Sequence, residues 1–177
     1  TALGGGWTGT TLTVSGVMAT FSSDLTTNIG VGDCIEYDRD NNGSLDAVAF
    51  IRSRTNARVY TIQSLTGTIP VECSTADLDW RIYRAYTSLA NAESGTENSS
   101  CSVFGSGISD LHSGGGVDLV AGNYQWNIAC YANGTETDSS ETTIEDWVTS
   151  PLNFLRIYTP VSSSEVGVSQ RHSGKKS

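Results

Sequence analysis

The chain has 177 residues, with 19 acidic residues, 10 basic residues and a formal net charge of −9. This length allows one large domain or two small ones with a buried core. The acidic balance argues against binding to nucleic acids or anionic membranes, because both require a basic surface. No run of 18 or more apolar residues is present, so we expect no membrane-spanning helix.

The polar residues are mostly hydroxyl-bearing. Ser and Thr account for 45 residues, whereas charged residues make up only 16% of the chain. Ser and Thr are poor helix formers, and Thr favours strands. Such a composition is typical of secreted β-proteins, and we therefore expect a secreted or cell-surface location.

Short alternating runs of apolar and polar residues, separated by turn residues, predict strands along the whole chain. In chain order they are 10–15, 17–21, 34–38, 46–53, 58–63, 80–84, 117–120, 125–130, 142–147, 154–158 and 166–169. One short helix is predicted at 88–93, with Ser88 as its N-cap, followed by a long loop rich in Ser and Gly at 94–116.

These elements predict an all-β fold with at most one short helix. The spacing of the strands fits a β-sandwich of jelly-roll type or a short β-solenoid. Residues 1–90 form a first β-module and residues 91–177 a second one, which is separate from the first or continuous with it.

An acidic loop at 38–46 has the spacing of calcium ligands. Calcium takes six to eight oxygen ligands, and alternate residues of a turning loop can point inward together. A glycine at position 43 permits the sharp turn. The predicted ligands are the side chains of Asp38, Asp40, Asn42 and Asp46 and the backbone carbonyl of Ser44.

The loop departs from a helical calcium-sensor loop in two ways. Ala49 stands at the twelfth position, where a bidentate Glu is expected, and the flanking segments are strands. We therefore predict a hairpin tip that takes a further ligand from elsewhere. Glu36 is the first candidate, and Asp33, a distant residue or water are the others. The alternative interpretation is a hairpin turn that holds no ion, since Asn, Asp and Gly are common turn residues.

Four cysteines occur without a Cys-x-x-Cys pair, which disfavours a zinc site. In an extracellular protein an even number permits two disulfides. Sequence order favours the pairs Cys34–Cys73 and Cys101–Cys130. Buried thiols are the alternative, because Cys packs as a small apolar residue.

Catalytic patterns are weak. There is no Gly-x-Ser-x-Gly motif, and two carboxylate pairs, Asp77/Asp79 and Glu145/Asp146, are interpreted as solvated loop and strand acids. Arginines near position 54 and four tryptophans could line a sugar-binding face, but ion pairs and core packing are the simpler interpretation.

Five phrases of the sequence resemble the leading segment of large bacterial surface proteins that continue into right-handed parallel β-helix coils. The phrases are 28–38, 47–55, 83–93, 125–132 and 157–175, and the likeness spans roughly residues 10–175. The resemblance implies a surface location and a neighbouring β-helix. Cys34 departs from it, because such proteins tend to carry an aliphatic residue there.

Together these observations predict a secreted, calcium-stabilised structural protein without catalytic activity. Its expected partner is a further copy of itself, joined through β-edges into an extracellular assembly or filament. The alternative is a carbohydrate-binding or polysaccharide-lyase-like β-helix module, with polysaccharide as its partner.

Overall fold

The computed structural model describes residues 2–103, 116–132 and 139–171. The fold is all-β, as the sequence predicted. Eight strands form the larger sheet: β1 Gly4–Gly5, β2 Leu12–Ser15, β3 Met18–Phe21, β4 Asp33–Tyr37, β5 Ala47–Arg54, β6 Val59–Gln63, β7 Cys73–Asp77 and β8 Trp80–Arg84. Two short helices, α1 Leu89–Glu93 and α2 Leu119–Gly122, precede the smaller sheet of β9 Trp126–Ala129 and β10 Leu155–Tyr158.

The larger sheet is antiparallel and curled. Its strand order is β1-β8-β4-β5-β6-β3-β2-β7. β7 is one edge and β8 lies beside the opposite edge, yet only two residues, Leu78 and Asp79, join them. So short a connection requires the two ends of the sheet to approach each other. The hydroxyl of Tyr37 in β4 also reaches across this junction and donates to the carbonyl of Val71, just before β7, at 2.5 Å.

The main core fills the interior of the curled sheet. Alternate residues of each strand point inward, which places Leu12 and Val14 of β2 beside Ile35, Ile51 and other apolar side chains. Its largest buried side chains include Trp80, Tyr37, Tyr60 and Phe21. The Phe21 ring lies 4.7 Å from that of Trp80 and 5.9 Å from that of Tyr60, both in edge-on contact.

β4 is buried on both faces, which makes it the centre of the fold. Its inward residues join the main core, whereas Cys34 faces outward into a second cluster with Tyr83, Ala85 and Cys101. The chain after β8 therefore folds back over the outer face of the sheet. The helix predicted at 88–93 is confirmed as α1, and the Ser88 side chain caps it by accepting from the Asn91 amide at 3.0 Å.

In the second half, two successive passes of the chain stack in parallel. Trp126 of β9 pairs with Leu155 of β10, 29 residues later. An isolated parallel bridge joins Asp118 to Val148, 30 residues later. Parallel pairing between consecutive passes therefore holds this part of the second half together.

An asparagine pair marks the corner of these two passes. The buried Asn153 side chain donates to Asn123 Oδ1 at 3.1 Å and to the Tyr124 carbonyl at 3.2 Å. Asn123 adopts a left-handed conformation at φ 52°, which Asn tolerates well.

The second half packs on the loop that precedes β4. Gly30 forms an antiparallel bridge with Val166, and the Tyr131 hydroxyl donates to the Val31 carbonyl at 2.8 Å. The Arg84 guanidinium lies 3.4 Å from the centre of the Tyr131 ring and pairs with the buried Asp33 carboxylate. The division at residue 90 stays a prediction.

Several predicted elements in the second half were wrong. The run at 117–120 leads into helix α2, because the Asp118 side chain caps it by accepting from the Ala121 amide at 2.8 Å. The runs at 142–147 and 166–169 contain no strand. Most of the predicted loop at 94–116 lies outside the described residues. None of the helices in the described part of the chain has the length and apolar character needed to cross a bilayer.

Candidate metal centre

The Asp38 carboxylate organises the predicted calcium loop. Its Oδ1 accepts from the backbone amides of Asp40 at 3.1 Å and Asn41 at 2.8 Å, and its Oδ2 accepts from the Gly43 amide at 2.6 Å. The side chain is fully buried within an otherwise exposed loop. Burial raises the pKa of Asp38, but these amides and the Asp40 side chain outweigh it and hold the pKa below its ordinary value.

The other predicted ligands of the loop make local contacts. Asn42 Oδ1 accepts from the Ser44 amide at 3.0 Å. Asp46 accepts from the Arg39 amide at 3.1 Å and forms an ion pair with the Arg39 guanidinium at 2.9 Å. These contacts hold the loop in a turn, and Asn42 and Ser44 are exposed.

Glu36 lies against a different part of the chain. Its fully buried carboxylate accepts from the Val103 amide at 2.6 Å and from the Ser102 hydroxyl at 3.4 Å. The structure thus places Glu36 against the segment that follows α1.

Two residues distant in sequence complete the acidic cluster around Asp38. The Asp38 amide donates to the Asp79 carbonyl at 2.9 Å, which extends the ladder between β4 and β8 by one step. One carboxylate oxygen each from Asp38, Asp77 and Asp79 lies within 4.8 Å of the others. Within the described residues these three form the only such group of His, Cys, Asp and Glu side chains.

Asp77 carries the least satisfied carboxylate of the cluster. The residue is 6% exposed, and its Oδ1 accepts from the Asp79 amide at 2.7 Å. Its Oδ2 is buried and has no hydrogen-bond partner in the described part of the chain. A buried oxygen without a donor is energetically unfavourable, and more so when it carries negative charge.

The carboxylates of the cluster are close enough to contact one cation. Calcium binds carboxylate oxygens at about 2.3–2.6 Å, so two oxygens that share one ion lie no more than about 5 Å apart. One carboxylate oxygen each from Asp38, Asp77 and Asp79 lies within this limit. An ion there would offset the repulsion between three negative charges.

The interpretation of these two acids as solvated is wrong for Asp77 and correct for Asp79. Asp79 is exposed, but Asp77 is buried. The signal that could have found them is the alternation Asp77-Leu78-Asp79 directly before the buried Trp80. That alternation indicates a site beside Asp38 only when the pairing of β8 with β4 is known.

The cysteines are placed differently from the favoured disulfides. None of the four sulfurs is in a disulfide. Cys73 belongs to the main core inside the curled sheet, whereas Cys34 faces the outer cluster, so the strand separates this favoured pair. Cys101 lies in the same outer cluster as Cys34, and the favoured Cys101–Cys130 bond is likewise absent.

The tryptophans that could have formed a sugar-binding face lie in different surroundings. Trp80 is in the main core, Trp126 and Trp147 contact each other with ring centres 4.8 Å apart and a tilt of 38°, and Trp7 is 64% exposed. Arginine side chains contact acceptors of the chain itself: Arg54 the Ser163 carbonyl, Arg58 the Asp24 carboxylate and Arg84 the Asp33 carboxylate.

Comparison with protein-family models, with curated proteins and with solved structures finds no match to this chain. The resemblance to bacterial surface proteins therefore stays an expectation.

Proposed function

We propose that this chain is a secreted, calcium-stabilised structural module of an extracellular assembly, without catalytic activity. The observation that carries the proposal is the acidic cluster of Asp38, Asp77 and Asp79, in which the buried Asp77 Oδ2 lacks a partner. A hard divalent cation is the ligand that this set of oxygens favours.

The position of the cluster explains why an ion there would be structural. Asp38 directly follows β4, whereas Asp77 is the last residue of β7 and Asp79 is the second residue of the connection to β8. The cluster therefore lies where the two ends of the curled sheet meet. An ion held by all three carboxylates would fasten this closure, and without the ion their mutual repulsion would oppose it.

One strand edge supports a role in assembly. It is not that of β1, because β1 has only two residues and offers little backbone for pairing with another molecule. β10 has four residues, and within the described part of the chain it pairs only with β9. Its Ile157 is 41% exposed, and the nearby Leu152 is 75% exposed. A parallel strand from a neighbouring molecule would continue the stack in the same register.

The calcium part of the proposal is tested by thermal unfolding of the purified chain in calcium, in magnesium and in chelator. We expect the melting temperature to be highest in calcium and lowest in chelator. Equal melting temperatures in calcium and chelator, at calcium concentrations up to the millimolar range, would contradict a structural calcium site.

The assembly part is tested separately by light scattering and electron microscopy in calcium over a range of protein concentrations. We expect concentration-dependent growth of particles or filaments. A matched variant, Ile157→Lys, places a charge on the exposed edge of β10 and should reduce the growth while leaving the melting temperature in calcium unchanged. A chain that stays monomeric at all concentrations would refute assembly and leave the calcium site intact.

A further inference from the structure

We propose that Cys34 and Cys101 form a disulfide during oxidative folding, which fastens the segment after α1 to the outer face of β4. This inference is independent of the calcium site, because both cysteines lie in the outer cluster and not at the closure of the sheet.

Cys34 lies in the middle of β4 with its side chain fully buried on the outer face. It stands directly opposite Tyr83 in the ladder between β4 and β8. Its neighbours are therefore fixed by backbone hydrogen bonds on both sides, since β4 lies between β5 and β8.

Cys101 approaches the same point from outside the sheet. It is 1% exposed, and its thiol points to the carbonyl of Arg84 at 3.8 Å, one residue beyond the partner of Cys34. Both residues belong to the same buried cluster, and burial together with the neighbouring Cys101 thiol raises the pKa of the Cys34 thiol. The sulfurs are thus neighbours although about 70 residues separate them in sequence.

Contacts on either side of Cys101 hold its segment in place. Before it, the Asn98 amide donates to the Ala85 carbonyl at 2.8 Å, and the Asn98 side chain donates to the Arg84 carbonyl at 2.9 Å. After it, the Val103 amide donates to the buried Glu36 carboxylate at 2.6 Å. The segment is therefore positioned for the bond by interactions that do not involve sulfur.

The chemistry requires a disulfide oxidant of low molecular weight. One thiolate of the protein attacks the oxidant, which gives a mixed disulfide and releases one small thiol. The second protein thiol, as thiolate, then attacks the mixed disulfide, forms the Cys34–Cys101 bond and releases the second small thiol. Two thiols of the protein are oxidised, and one small disulfide is reduced to two thiols.

Burial decides when this reaction takes place. Both thiols are almost completely buried in the folded chain, and the raised pKa of Cys34 lowers the fraction of reactive thiolate. We therefore expect slow reaction of the folded, reduced protein and fast formation of the bond while the chain folds.

The experiment is refolding of the complete, reduced chain in a glutathione redox buffer, followed by alkylation under denaturing conditions and peptide mapping by mass spectrometry. We expect two of the four thiols to be protected and residues 34 and 101 to be linked. Four alkylated thiols across the range of redox buffers, or a main link to Cys73 or Cys130, would overturn the proposal. Because the mapping uses the unaltered sequence, its result does not depend on how well a variant folds.

Matched variants sharpen the result. Cys34→Ser and Cys101→Ser should each abolish the protected pair, whereas Cys73→Ala and Cys130→Ser should keep it. In chelator, the oxidised chain should melt roughly 10 °C above the reduced chain, since the bond closes a long loop. An unchanged melting temperature with the link present would show that the bond does not fasten the segment, and would refute that part of the inference.

Discussion

Replacing Asp77 by Asn tests the acidic cluster with the smallest possible change. The amide keeps an oxygen that can accept from the Asp79 amide, as the carboxylate does at 2.7 Å, but it removes one negative charge from the cluster. In calcium the variant should be less stable than the original chain, because an anionic ligand is lost. In chelator it should be equally stable or more stable, because the repulsion is weaker.

The size of the effect follows from linkage between binding and folding. At a calcium concentration 100-fold above Kd, a site present only in the folded state adds about 2.7 kcal/mol to the free energy of unfolding. For a domain of this length that raises the melting temperature by about 5–11 °C. Removing a direct carboxylate ligand should weaken binding by on the order of 100-fold, since even outer contacts contribute 10–100-fold. The calcium increment then falls to about 0.4 kcal/mol, or about 1 °C.

The assay is differential scanning calorimetry of each variant in calcium and in chelator. Asp24→Asn is the matched control. Asp24 is an exposed acid paired with Arg58, so its replacement removes one negative charge at a position outside the cluster. Asp46→Asn separates the cluster from the local loop, since Asp46 contacts Arg39. If Asp46→Asn removes the calcium increment while Asp77→Asn keeps it, the local loop binds the ion and the reasoning from the cluster is refuted.

Three further predictions concern the rest of the fold. Burial raises the pKa of Asp33 to about 6, so the stability that protonated Asp33 contributes below about pH 4 should be lost as pH rises through 6. Urea titrations of the original chain should show the free energy of unfolding falling over this range, and the fall should be smaller in Asp33→Asn. Gly30→Ala should cost about 1–3 kcal/mol in the same titrations, because a Cβ there would lie 2.1 Å from the Glu165 carbonyl oxygen. Ile82→Ala should cost about 2–5 kcal/mol in the fully buried core, whereas Ile69→Ala, at an exposed position, should change stability by less than about 0.5 kcal/mol.

The strands of the first half could be predicted because each has one face in the core. In β5, for example, Ala47, Ala49 and Ile51 are buried, and this alternation is visible in the sequence. β7 was missed because its three central residues, Ser74 to Ala76, are exposed and only its ends are buried. An edge strand with so little apolar pattern looks like a loop.

The second half was harder to predict because its elements are short and depend on distant partners. The predicted strands at 125–130 and 154–158 are confirmed as β9 and β10, but their parallel pairing, 29 residues apart in sequence, has no local signal. The apolar residues near Leu119 form one helical turn, which Asp118 selects by capping it. Short apolar runs fit a strand or a helix equally well, so capping and tertiary contacts decide between them.

The candidate metal site shows the same dependence on tertiary structure. The sequence pointed to the loop at 38–46, yet the backbone amides of that loop already satisfy the Asp38 carboxylate. Turn chemistry alone therefore accounts for the local conformation, and nothing in the loop itself requires an ion. The carboxylate oxygen without a hydrogen-bond partner belongs to Asp77. Asp77 lies near Asp38 because the curled sheet brings β7 close to β8, with only two residues between the two strands. If calcium stabilises this protein, its effect should therefore depend on Asp77 and on closure of the sheet more than on Asp46 at the tip of the loop.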